Sequence, residues 1–115
     1  DHPNGEGNRY GHTKLDGGPI LDRGPNINPV VFDGLLAAAK KQKIAVQRRA
    51  MPRGTGTDAN AMQLARGGVA TAVVGIPNRY MHTPVEMVSL ADVDAAARLI
   101  AHYVAGLKAR TSFIP

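Results

Sequence analysis

A chain of 115 residues has room for one domain with one modest core, and with no tryptophan, few aromatics, 13 glycines and 8 prolines that core must come from Val, Ile, Leu, Ala and Met. The absence of cysteine excludes a disulfide framework and a thiolate metal site, and no apolar stretch approaches the roughly 18 residues that span a bilayer, so a soluble, cytoplasmic protein with no membrane partner is expected. The formal charge of +5 raises nucleic acid as a partner, but the basic residues are not interleaved with an aromatic platform for bases, and none is expected.

Residues 1–18 are polar, crowded with glycine and asparagine and without an apolar period; they read as an irregular lead-in to the folded part, residues 19–115. Ile20-Leu21, after Gly17-Gly18-Pro19, predicts a short strand closed by Asp22-Arg23-Gly24-Pro25. Asn28 can cap a helix whose first position is Pro29, where a missing N–H costs nothing. Val31, Leu35, Leu36 and Ala39 recur at helical spacing down to Lys40, Lys41 and Lys43, cations suited to the C-terminal end of a helix dipole. A second strand with a basic end is expected over Ile44-Ala45-Val46-Gln47, leading to Arg48, Arg49 and Arg53.

The segment Arg53-Gly54-Thr55-Gly56-Thr57-Asp58 leads into a helix predicted over residues 59–66, capped by Asp58 or Thr57 and stopped by Gly67-Gly68. It is not a phosphate loop, because no lysine follows in the Gly-Lys-Ser/Thr arrangement. Residues 69–76, Val-Ala-Thr-Ala-Val-Val-Gly-Ile, carry no charge and many β-branched side chains, which suits an inner parallel strand covered on both faces. Residues 85–88 read as another short strand, and Ser89 as the cap of a long helix over 90–107 with Asp92 and Asp94 in its first turn. Alternating strands and helices predict a layered α/β/α domain with a largely parallel sheet.

The loop following the strand at 69–76 is the most informative stretch. Pro77 and Pro84 restrict its backbone, and His82 offers an imidazole that is neutral near pH 7 and able to bind a divalent metal or carry a proton. The ends of inner strands are where α/β folds gather their chemistry. Glu86 is a candidate to orient His82. Arg79 and Tyr80 suit packing, and His2, His12 and His102 suit exposed, inert positions.

Gly56-Thr57-Asp58-Ala59, the run 69–76, Arg79-Tyr80-Met81-His82-Thr83-Pro84-Val85-Glu86 and the following Asp92-Val93 helix together resemble the C-terminal part of the M42 family of metallo-aminopeptidases. The lead-in Gly18-Pro19-Ile20-Leu21-Asp22-Arg23-Gly24-Pro25-Asn26-Ile27-Asn28-Pro29 matches as well, so the resemblance covers roughly residues 17–108. It implies two divalent metal ions, zinc or cobalt, held by two histidines and three carboxylates, with a separate glutamate as general base. The histidine of the Arg-Tyr-Met-His-Thr-Pro motif maps onto His82. The other ligands and the base would lie upstream of Asp1, which is not itself assigned to the site. Gly56, Thr57 and Asp58 resemble a loop bordering the substrate cleft.

The resemblance therefore implies the C-terminal part of a catalytic domain that releases N-terminal residues from peptides, in a large homo-oligomer, commonly a dodecamer. A chain with one metal-binding histidine would be inactive without the missing upstream part of the same protein. The alternative is a non-catalytic truncated homologue acting as a packing or binding module.

Overall fold

The computed structural model describes residues 12–115. Asp1, His2 and most of the expected lead-in lie outside the described residues. The elements in chain order are β1 (Ile20–Arg23), α1 (Pro29–Gln42), β2 (Gln47–Ala50), α2 (Ala59–Met62), β3 (Val74–Gly75), β4 (Asn78–Arg79), β5 (Met87–Val88) and α3 (Leu90–Ala105).

The helix α1 forms for the reasons its sequence suggests. Asn28 is extended, its side-chain oxygen accepts the Val31 N–H at 3.1 Å, and Pro29 begins the helix. Its other end closes with Lys43 in the left-handed region at φ 54°, which lets Ile44 N–H reach the Ala39 carbonyl at 2.9 Å and buries Ile44 behind the turn. Val31, Phe32, Leu35 and Ala39 form its buried stripe.

That stripe meets Leu21 of β1, Ile27, Ile44 and Leu99 of α3 in one hydrophobic cluster, with Val73, Val74, Ala95, Tyr103 and Phe113 packed around it. Leu21 and Leu99 are wholly buried, so β1 and the two long helices share a single core. The neighbouring positions of β1 alternate as a strand requires. Asp22 is buried and takes a bidentate ion pair from Arg49, its register partner on β2, at 2.7 and 2.9 Å. Those hydrogen bonds, more than the Coulomb attraction, push the Arg49 guanidinium further above its already high value.

The sheet is mixed, which corrects the expectation of a largely parallel one. Its strand order is β2-β1-β3, with β1 and β2 parallel and β3 antiparallel to β1 through Ile20↔Gly75 and Leu21↔Val74. The uncharged run at 69–76 supplies only two strand residues, and these are half-buried, whereas residues 69–73 are held outside the ladder by bonds such as Asn28 N–H to Thr71 O at 2.8 Å and the Thr71 hydroxyl to the Asn26 carbonyl at 2.9 Å. An uncharged β-branched composition suits a half-buried pleated surface in either direction, so it does not encode strand polarity. Three boundaries also shift. The β2 ladder lies at the basic end of its segment, α2 ends four residues early, and α3 ends at Ala105.

The turn before β1 is held from three sides. Asp92, buried in the first turn of α3, accepts the backbone N–H groups of Asp16 and Gly18, each at 2.8 Å. Gln47 brackets the same turn through Lys14 N–H, Lys14 O and Gly18 O. Gly18 sits at φ 83°, and a Cβ there would lie 2.0 Å from the Ala45 carbonyl oxygen, so no other residue fits. Ser89, expected to cap α3, instead donates its hydroxyl to the Asp16 carboxylate. Among the described residues no helix is long and apolar enough to cross a membrane.

Candidate active-site loops

His82 lies in the connection of an antiparallel pair, β4 with β5, whose register is Asn78↔Val88 and Arg79↔Met87. The loop between them is tightly wound. Tyr80 and His82 take φ values of 60° and 65°, in the left-handed region that costs a non-glycine residue on the order of 1–3 kcal/mol. Compensating hydrogen bonds are local: Thr83 N–H and Oγ1 donate to the Tyr80 carbonyl at 3.1 and 2.6 Å, and Val85 N–H donates to Thr83 Oγ1 at 3.3 Å.

Glu86 closes this loop. Its Oε1 accepts the His82 backbone N–H and its Oε2 accepts from Asn78 Nδ2 at 3.2 Å. The His82 N–H first, and the Asn78 amide second, hold the Glu86 carboxyl below the ordinary value of 4.5. The expectation that Glu86 orients His82 thus has a geometric counterpart, through the backbone rather than the ring. The whole segment 80–88 is exposed, His82 included. Among the described residues the imidazole has no hydrogen-bond partner, and no group of three or more His, Asp or Glu side chains is arranged to hold a metal ion. The described chain offers one nitrogen donor at this point.

The second loop, around Gly54 to Asp58, is anchored in the interior. Asn26, 3% exposed, and Thr55, 1% exposed, face each other: Thr55 N–H donates to Asn26 Oδ1 at 3.0 Å and Asn26 Nδ2 donates to Thr55 Oγ1 at 2.7 Å. The Asn26 carbonyl takes the Thr71 hydroxyl at 2.9 Å, and Asn60 of α2 donates back to the Thr55 carbonyl. A Cβ on Gly54 would meet Asn60 Oδ1 at 2.5 Å and push that side chain aside, whereas a Cβ on Gly56 would point into open space. Asp58 stands at the cap position of α2 without a side-chain cap bond.

Thr57 and Asp58 border an open groove of about 470 Å³ with Met62, Val69 and Val74 on its other walls. His82 is not part of that lining. Asn26, Thr55 and Asn60 were not singled out by the sequence. Asn26 lies two residues before the Asn28 cap, and its partner Thr55 is 29 residues away, so no local pattern marks the pair.

Over residues 2–99 the sequence matches the M42 glutamyl aminopeptidase family. The chain belongs to that family. It is 51% identical over 86 residues to a lysyl aminopeptidase of Pyrococcus furiosus, an alignment covering 75% of this chain and 25% of that protein. Its fold is similar to the TET aminopeptidase from the marine sediment archaeon Thaumarchaeota archaeon SCGC AB-539-E09, with a TM-score of 0.78 and 31% identity across 84% of this chain and 28% of that one. It is also similar to PhTET1-12s, described as a dodecamer, with a TM-score of 0.69 and 27% identity across 84% of this chain and 29% of that one. The chain thus spans about a quarter of the length of these M42 relatives.

Proposed function

We propose that this M42 chain is the C-terminal part of the catalytic domain of a metal-dependent aminopeptidase, which hydrolyses N-terminal residues from short peptides. Family membership across residues 2–99 carries the reading, and the exposed position of His82 in the connection between β4 and β5 is compatible with a ligand role. A neutral imidazole suits zinc or cobalt as a ligand. A pair of such ions, when bound, activates water and polarises the scissile carbonyl.

The chain's own residues have narrower tasks. His82 contributes one nitrogen donor, with its backbone kept in a left-handed turn by Glu86 and Thr83. Gly56, Thr57 and Asp58 form one wall of the peptide cleft. The general base and the remaining metal donors belong to preceding sequence, and residues 1–115 alone are inactive. A cytoplasmic homo-oligomer is part of the same proposal, supported by the dodecameric relative.

The decisive experiment compares metal content and peptide turnover of the complete enzyme with its His82→Ala variant. Loss of tightly bound metal together with a fall in kcat/KM of several orders of magnitude is expected. Full metal occupancy and unchanged turnover in the variant would refute the assignment and favour a non-catalytic packing or binding module. The exposed side chains of Leu90, Leu64 and Val85, which suit contact with further polypeptide, serve either reading.

A further inference from the structure

The buried Asn26–Thr55 pair fixes the direction of a chain of hydrogen bonds that ends at the groove. A backbone N–H can only donate, so the Thr55 N–H settles which end of the Asn26 amide is oxygen, and the Nδ2 group consequently faces Thr55 Oγ1. Thr55 Oγ1 is therefore an acceptor of the Asn26 bond at 2.7 Å, and its own proton needs an acceptor in a site only 1% exposed. The acceptor at hand is Thr57 Oγ1, 2.8 Å away. Leaving that buried hydroxyl proton unpaired would cost more than any rearrangement of an exposed threonine.

We propose that Thr57 is a specificity-determining hydrogen-bond donor, whose hydroxyl proton is turned into the groove by the Asn26→Thr55→Thr57 chain to meet an acceptor oxygen, carbonyl or carboxylate, of a bound peptide. Thr57 receives the Thr55 proton on one lone pair, so its own proton points away from the interior. The exposed Thr57 side chain lies on the groove of about 470 Å³, which Asp58 and Thr71 line together with the apolar Met62, Val69 and Val74. The Thr71 hydroxyl already donates to the Asn26 carbonyl and the Asp58 carboxylate accepts, so Thr57 is the hydroxyl donor this lining offers to an acceptor on the ligand. The anchoring bonds keep this orientation without the ligand, because Asn60 clamps the Thr55 carbonyl and Gly54 leaves room for Asn60 to do so.

This inference rests on the reading of Gly56, Thr57 and Asp58 as a wall of the peptide cleft, and its two parts are tested separately. Neutron diffraction from deuterated protein locates the proton directly. Deuterium on Thr55 Oγ1 directed at Thr57 is expected; deuterium on Thr57 directed at Thr55 overturns the proposal whatever the enzyme does. In the holoenzyme, Thr57→Val is expected to raise KM for short peptides by about 3–10-fold, the worth of one neutral hydrogen bond, with kcat little changed. Thr57→Ser, which keeps the hydroxyl, should restore KM to within about twofold. An active wild-type enzyme whose KM is untouched by Thr57→Val overturns the donor role while leaving the peptidase assignment standing.

Discussion

The two loops that carry the proposed site residues are stabilised by different means. The Gly54–Asp58 loop hangs from a buried amide, Asn26, whose oxygen, nitrogen and backbone carbonyl are all used within a closed interior network. In the His82 loop the hydrogen bonds of Glu86, Thr83 and Val85 join residues at most eight positions apart, and the side chains from 80 to 88 are exposed. Satisfied interior polar networks rigidify what they hold, because each broken bond leaves a group that water cannot reach. A loop of surface hydrogen bonds exchanges each of them for water at little cost. The loop proposed as a cleft wall is therefore rooted in the interior, whereas the histidine proposed as a metal ligand sits in an exposed turn held by Glu86 and Thr83.

The largest test of this contrast concerns the interior anchors. Asp92→Ala removes a buried carboxylate and orphans the N–H groups of Asp16 and Gly18, and should lower unfolding free energy by about 3–5 kcal/mol in urea titrations. Asn26→Ala strands the Thr55 amide and the hydroxyl beside it, with an expected loss of about 2–4 kcal/mol. A loss below about 0.5 kcal/mol, the range of ordinary surface substitutions, would show that the loop is not rooted in the interior. Hydrogen exchange sharpens the same contrast without mutation. The Thr55 amide should exchange only through global unfolding and the His82 amide through local opening, so that denaturant accelerates the first and barely affects the second.

How much of this was legible in the sequence follows the same division between local and distant causes. Helix α1 was readable for most of its length because its cap, its apolar stripe and its basic terminus all lie within 16 residues: Asn28 and Pro29 act as expected, while Phe32 takes the buried place expected for Leu36 and Lys43 closes the helix in a left-handed turn. Asp92 was readable as a first-turn acid, yet its partners are 76 and 74 residues away, and nothing local announces a carboxylate that serves backbone amides rather than the helix end. The Asn26–Thr55 pair, 29 residues apart, was hidden for the same reason. Strand polarity failed for a different one: the composition of 69–76 specifies a pleated apolar surface, and only the pairing with Ile20 and Leu21 decides its direction. The His82 loop was legible as a motif because its prolines, histidine and glutamate are contiguous. The left-handed turns at Tyr80 and His82 were not, since neither residue demands one.

The smallest expected effect on stability, and the most telling for function, belongs to Glu86. Because its carboxylate is exposed and, among the described residues, hydrogen-bonds Asn78 and the His82 N–H, Glu86→Ala should change unfolding free energy by less than about 0.5 kcal/mol. The same substitution frees the His82 backbone to leave the left-handed region and relax to commoner φ values. Metal affinity of the complete enzyme should then fall by about 10–100-fold, as it does when groups that orient a ligand are removed. Glu86→Gln, which keeps an acceptor for His82 but presents an amide to Asn78, should fall between alanine and wild type. Equal metal affinity in all three proteins would mean that bound metal alone dictates the His82 geometry. The strained turn would then be a property of the loop rather than a preparation for the ligand.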